Sequence, residues 1–148
     1  MINEDLIQIG NNVFVISQNI IDRDNYKYRV TNTKNQCVEM QFRMFYDDNV
    51  NRIKYWSLTL SVNKKSKGYE YGKQTGKAGI ESLLIAKEIL KYHINYIKSK
   101  FHKNRIIIWG DDTRRLNAYT YGLRSLGFDL RQMTVAGLHT GKCLFKEI

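Results

Sequence analysis

The chain has 148 residues, no Pro, two Cys, 43% apolar and 12% aromatic residues, and 24 basic against 14 acidic side chains, for a formal charge of +10. A chain of this length buries roughly two thirds of its unfolded surface around one core, which excludes a second domain, a disordered tail or a scaffold held by disulfides as the organising feature. No apolar stretch approaches the roughly 20 residues needed to span a bilayer and the start, Met1-Ile2-Asn3-Glu4-Asp5, is acidic where a secretory signal is basic, so a cytoplasmic protein with no membrane partner is expected.

Val13 to Ile16 and Lys27 to Thr31 are short β-prone runs separated by the turn-forming Asp22-Arg23-Asp24-Asn25. Cys37 to Tyr46 alternates, with Val38, Met40, Phe42 and Met44 on one face. After Asp47-Asp48-Asn49 the run Ile53 to Val62 alternates again, with Trp56, Leu58, Leu60 and Val62 on one face and Tyr55, Ser57, Thr59 and Ser61 on the other. These 62 residues predict an antiparallel meander.

The period then changes. Ile80, Leu83, Leu84, Ile89, Leu90, His93, Ile94 and Ile97 recur at helical spacing and predict a long amphipathic helix with that stripe inward. Arg105-Ile106-Ile107-Ile108-Trp109 is a continuous apolar run, the mark of a strand covered on both faces. A second helix, capped by Asp112 or Thr113, runs to about Leu126 and stops at Gly127, and Phe128 to Ile148 reads as two more strands. Strand, crossover helix and parallel strand from Ile53 to Trp109 predict an α/β fold on a mixed, mainly antiparallel sheet with helices packed on it.

The positive charge is uneven. Residues 1–50 carry five basic and seven acidic side chains, and residues 51–148 carry 19 and seven, so the partner of the later part is expected to be anionic: a nucleic acid, a phosphorylated cofactor or an acidic protein. A Lys-, Asn- and Ile-rich composition of this kind also arises in AT-rich genomes such as those of phages and low-GC bacteria.

Tyr71-Gly72-Lys73-Gln74-Thr75-Gly76-Lys77-Ala78-Gly79 lies between a strand and the start of the long helix, where backbone N–H groups lack partners and the helix dipole favours an anion. Gly72 and Gly76 enclose three residues and Lys77 precedes Ala78, so a Walker loop is not matched, and no Gly-x-Gly-x-x-Gly opens the helix. The segment reads as a phosphate cradle or as a solvated Lys/Gly connector. His93, His102 and His139 have no metal-ligand spacing with Cys37 or Cys143, so no metal is expected, and His93 falls on the apolar stripe as a core histidine would.

Lys73-Gln74-Thr75-Gly76-Lys77-Ala78 before an apolar helix resembles the pyrophosphate loop of the GNAT acetyltransferase superfamily, Gln/Arg-x-x-Gly-x-Gly/Ala, with Lys73 in place of Gln/Arg. Arg114-Arg115-Leu116-Asn117-Ala118-Tyr119 with Leu126-Gly127-Phe128 is similar to that family's later helix, and Gly141 to Lys146 to its final strand.

The resemblance covers about residues 53–148 and implies a single GNAT-like domain with an N-terminal meander (1–62) and an acyl-CoA-binding half (63–148). It implies transfer of an acetyl group from acetyl-CoA, or another acyl-CoA, to an amine acceptor. Lys73, Thr75, Gly76, Lys77, Ala78 and Gly79 would hold the pyrophosphate, Leu60 and Val62 would flank the pantetheine arm, and Asn117 would contact the cofactor. Leu123 occupies the position of the Tyr that in the family protonates the departing thiolate, so Tyr119 and Tyr121 are the candidates for that role. Glu39, Glu70 and Asp111 are candidate bases by position. A noncatalytic member of the same fold, phage-encoded for example, and a basic nucleic-acid-binding domain are the alternatives.

Overall fold

The computed structural model describes residues 1–47, 53–64, 77–101, 103–109, 120–135 and 139–148. Alternation builds β2 (Asn12–Asp22), β3 (Asn25–Thr31) and β4 (Gln36–Asp47), preceded by β1 (Ile2–Ile9), a strand that the apolar pattern does not mark. β5 (Ile53–Lys64) leads to α1 (Lys77–Lys100) and then β6 (Asn104–Trp109), and β7 (Asp129–Val135) and β8 (His139–Glu147) close the chain. The architecture is α/β, with one mixed, mainly antiparallel sheet of eight strands in the order β1-β2-β3-β4-β5-β6-β8-β7, in which β5 and β6 are parallel.

The chain divides into two compact units, Met1–Phe42 with Thr59–Tyr92 and Arg43–Leu58 with His93–Ile148. In the first, Gly10 at φ +60° opens the tight turn that pairs Ile9 with Asn12, a glycine-first hairpin that suits the twist of its strands. One face of β2, β3 and β4 buries Phe14, Ile16, Tyr26, Tyr28, Val30, Val38, Met40 and Phe42. Tyr28 meets Phe42 and Tyr92 edge to face at 5.6 and 6.0 Å, and its hydroxyl accepts from Gln18 Nε2 at 3.1 Å. At the sheet edge, the Asp5 carboxylate accepts from the Leu6 N–H at 2.8 Å and from the Tyr92 hydroxyl at 3.3 Å.

α1 differs from its sequence reading at its start. Its buried positions are Ser82, Ile85, Ala86, Ile89, Leu90, His93, Ile94 and Ile97, whereas Ile80, Leu83 and Leu84 are 64%, 48% and 45% exposed. The stripe is rotated there because Ser82, not a leucine, takes the inward position and bonds Asn32.

In the second unit, Asn104 joins helix to sheet. Its Oδ1 accepts from the Trp56 indole N–H at 3.1 Å, and its Nδ2 donates to the carbonyl of Phe101, just past the end of α1, at 3.0 Å and at 3.5 Å to the Ile97 carbonyl, which also accepts from the Phe101 N–H at 2.8 Å. Trp56 is fully buried, and so is Tyr55 on the opposite face of β5, which packs with Ile107, Cys143 and Phe145. At Tyr55 and Trp56 β5 is therefore covered on both sides, as the continuous run of β6 is. Residues 120–123 are helical, a 3₁₀ turn follows, and Gly127 ends it at φ +87°, the left-handed conformation expected of a helix stop.

Candidate functional site

The candidate site is the junction of β5 and α1. Leu60 and Val62 lie in the last part of β5, and Lys77, Ala78 and Gly79 form the first turn of α1, all in the first unit. Lys73, Thr75 and Gly76 lie outside the described residues. The first turn of α1 carries no acidic side chain, so its outward N–H groups and positive dipole end meet no carboxylate of their own turn. An anionic group fits that surroundings.

The β3–β4 turn is bound to the same helix. Thr33 donates its backbone N–H to Glu81 Oε1 at 2.6 Å, and its hydroxyl lies 2.9 and 2.8 Å from the two carboxylate oxygens. Beside it, Asn32 Nδ2 donates to Ser82 Oγ at 3.0 Å. Sequence reasoning passed over this cluster. The signal was the pair of asparagines in Asn32-Thr33-Lys34-Asn35, of which Asn35 adopts φ +59°.

β5 and β6 run parallel with register from Lys54↔Asn104 to Ser57↔Ile107. β5 itself extends to Lys64 and β6 to Trp109. Ligands of α/β sheets commonly bind beyond the carboxyl ends of parallel strands.

Of the candidate chemical residues, Glu39 and Tyr121 are among the described residues. Glu39 sits on β4 with its carboxylate 2.7 Å from Arg29 Nε and its side chain 9% exposed, an ion pair across neighbouring strands. Tyr121 is 87% exposed in the helical stretch 120–123, where Leu123 is half-buried. Glu70, Asp111, Asn117 and Tyr119 lie outside the described residues.

His93 is fully buried, edge to face with Trp56 at 4.9 Å, and burial lowers its pKa from 6.5 to about 3, so it is neutral at physiological pH. Burial pushes the Cys143 thiol above its ordinary range while the Arg131 charge pulls the other way, which leaves a protonated thiol and a poor nucleophile. Arg131 lies over the Phe145 ring at 4.2 Å, and Arg105 over Tyr55 at 5.9 Å while bonding Glu147 at 3.0 Å. Among the described residues no group of three or more His, Cys, Asp or Glu is placed to hold a metal ion. Among them, too, no helix is long and apolar enough to cross a membrane. Comparison with known proteins finds no matching family, no matching curated protein and no matching solved structure.

Proposed function

We propose that the chain is an acyl-CoA-dependent N-acyltransferase of GNAT type that moves an acetyl group from acetyl-CoA, or another acyl-CoA, to an amine acceptor. The observation that carries this reading is the start of α1: the glycine-bearing segment precedes it in sequence, its first turn carries no acidic side chain, and β5 and β6 to either side of it in the chain run parallel. Backbone amides of residues 76–79 hold the diphosphate, Lys73, Thr75 and Lys77 adding charge and hydrogen bonds. Leu60 and Val62 flank the pantetheine arm along β5, and Asn117 contacts the cofactor from the later helix. The cofactor supplies the activated thioester. The protein's part is to orient it beside the amine, with Tyr119 or Tyr121 giving a proton to the departing sulfur and Glu39, Glu70 or Asp111 taking one from the amine.

The order strand, helix, strand, helix, strands expected from the resemblance is the order of the described elements from β5 onward. A second reading, binding of the cofactor without transfer, draws support from Leu123 at the family's tyrosine position and from the Arg29–Glu39 pair.

Thermal unfolding with CoA, desulfo-CoA and single-stranded DNA separates the readings, since a ligand of the folded state raises the midpoint in proportion to the logarithm of its concentration over its dissociation constant. CoA and desulfo-CoA should both stabilise the chain, and Gly76→Asp should abolish the effect by placing a side chain and a negative charge at the diphosphate. Stabilisation that survives in Gly76→Asp removes the glycine segment from the site. Free thiol released from acetyl-CoA across a panel of amines distinguishes transfer from binding alone, and steeply salt-dependent DNA binding without a CoA effect favours a nucleic-acid domain.

A further inference from the structure

The bonds between the β3–β4 turn and α1 exceed what a hairpin needs to close itself. Asn32 is 5% exposed and uses both ends of its amide. Its Oδ1 accepts from the Lys34 and Gln36 N–H groups, each at 2.9 Å, and its Nδ2 donates to Gln36 Oε1 at 2.9 Å and to buried Ser82 at 3.0 Å. The turn is thus braced by its own hydrogen bonds, and its next residue, Thr33, bonds Glu81 through both its backbone N–H and its hydroxyl.

Among the described residues, the turn supplies the hydrogen bonds that hold the start of α1 from outside the helix. Ile80, Leu83 and Leu84 face solvent, and Ile85 and Ala86 begin the apolar contact only in the third turn. Apolar burial is non-directional and lets a helix end slide or rotate by fractions of an ångström, whereas charge-assisted hydrogen bonds fix position.

We infer that the turn Asn32–Gln36 is the positioning element for the start of α1, with Thr33 and Glu81 as positioning residues for the amides that the acyl-CoA reading sets against a diphosphate. The inference takes its ligand from that reading. The positioning itself is a property of the chain alone. A cradle of backbone amides tolerates little displacement, so loosening the turn weakens the ligand without touching it.

The test compares Thr33→Val, Thr33→Ser and Glu81→Gln with the unaltered chain by amide hydrogen exchange and by calorimetric titration with CoA. Thr33→Val and Glu81→Gln are expected to raise exchange at residues 80–84 by about five- to tenfold, leave residues 94–97 at their original rates and weaken CoA by about fivefold, whereas Thr33→Ser restores both. Unchanged exchange at 80–84 overturns the inference, and so does faster exchange along the whole helix, which marks general destabilisation. Unaltered CoA affinity in Thr33→Val, with exchange at 80–84 raised, also overturns it. If the unaltered chain does not bind CoA, the acyl-CoA reading falls and the exchange pattern alone decides whether the turn positions the helix.

Discussion

The two ends of α1 are each held by a buried asparagine, but in different surroundings. Asn32 acts on the start through Ser82, in a region where the neighbouring Ile80, Leu83 and Leu84 remain exposed. Asn104 acts on the end through the Ile97 and Phe101 carbonyls, among fully buried Trp56, His93, Ile97 and Ile106. The end is therefore held by apolar burial that the asparagine completes. The start is held mainly by hydrogen bonds, and that is the end at which a ligand is proposed. Sites that must adjust to a ligand are drawn from the less buried parts of a protein, and α1 follows that division along its own length.

The sharpest way to break this contrast is Asn104→Ala. It leaves the Trp56 indole N–H buried without its acceptor and removes the donor to the Ile97 and Phe101 carbonyls, so a loss of about 2–4 kcal/mol in urea-unfolding stability is expected. A loss below about 1 kcal/mol would mean that the end of α1 does not depend on this residue.

Acid provides the next largest effect. With His93 lowered from 6.5 to about 3 in the fold, the unfolded chain binds a proton that the folded chain does not accept between those values. Stability from this group is intact above pH 6.5 and declines as pH falls toward 3, by up to about 1.4 kcal/mol per pH unit. Urea midpoints for the unaltered chain and His93→Gln, taken from pH 7 to 4.5, should converge as pH falls. Parallel curves would show that His93 takes up its proton normally in the fold.

Asn32→Ala should cost less, about 1–2 kcal/mol, because its bonds to the Lys34 and Gln36 N–H groups are only part-buried. Its effect should concentrate in amide exchange at the start of α1. Smallest of all, Leu84→Lys is expected to change stability by no more than about 0.5 kcal/mol, since its side chain is 45% exposed. A large loss there would restore the inward stripe that helical spacing predicts.

That stripe shows how far spacing carries. From Ile89 to Ile97 it marks the buried face correctly, because apolar burial decides orientation there, while Ile85 and Ala86 are buried and fall outside it. At Ile80, Leu83 and Leu84 a polar tertiary contact through Ser82 decides instead, and no periodicity records a partner fifty residues away in sequence. β4 was legible for the opposite reason: Val38, Met40, Phe42 and Met44 alternate cleanly and are all buried. β1 was not, since Ile7 is its one buried residue and the strand is held by pairing with β2; the signal lay in Gly10-Asn11, a hairpin turn between two apolar-bearing runs. Tyr55 was assigned a face only by alternation, and the sequence does not say that both faces of β5 are covered there.

Of the site, the end of β5 and the start of α1 at Lys77 fall among the described residues, and the glycines and lysines between them lie outside. The polar grip of Thr33 on Glu81 was not legible, because it joins two segments that each look like ordinary surface.

One small feature of β1 has a consequence for how the protein behaves at high concentration. An outer strand offers its free N–H groups to any extended chain that passes, and stacking of copies begins at such places. By folding its carboxylate back onto the Leu6 N–H while also holding Tyr92, Asp5 occupies one of those positions and leaves a negative charge along the rim. An incoming strand would have to displace Asp5 before it could bond the Leu6 N–H, which makes that stretch of the rim a poorer template for pairing.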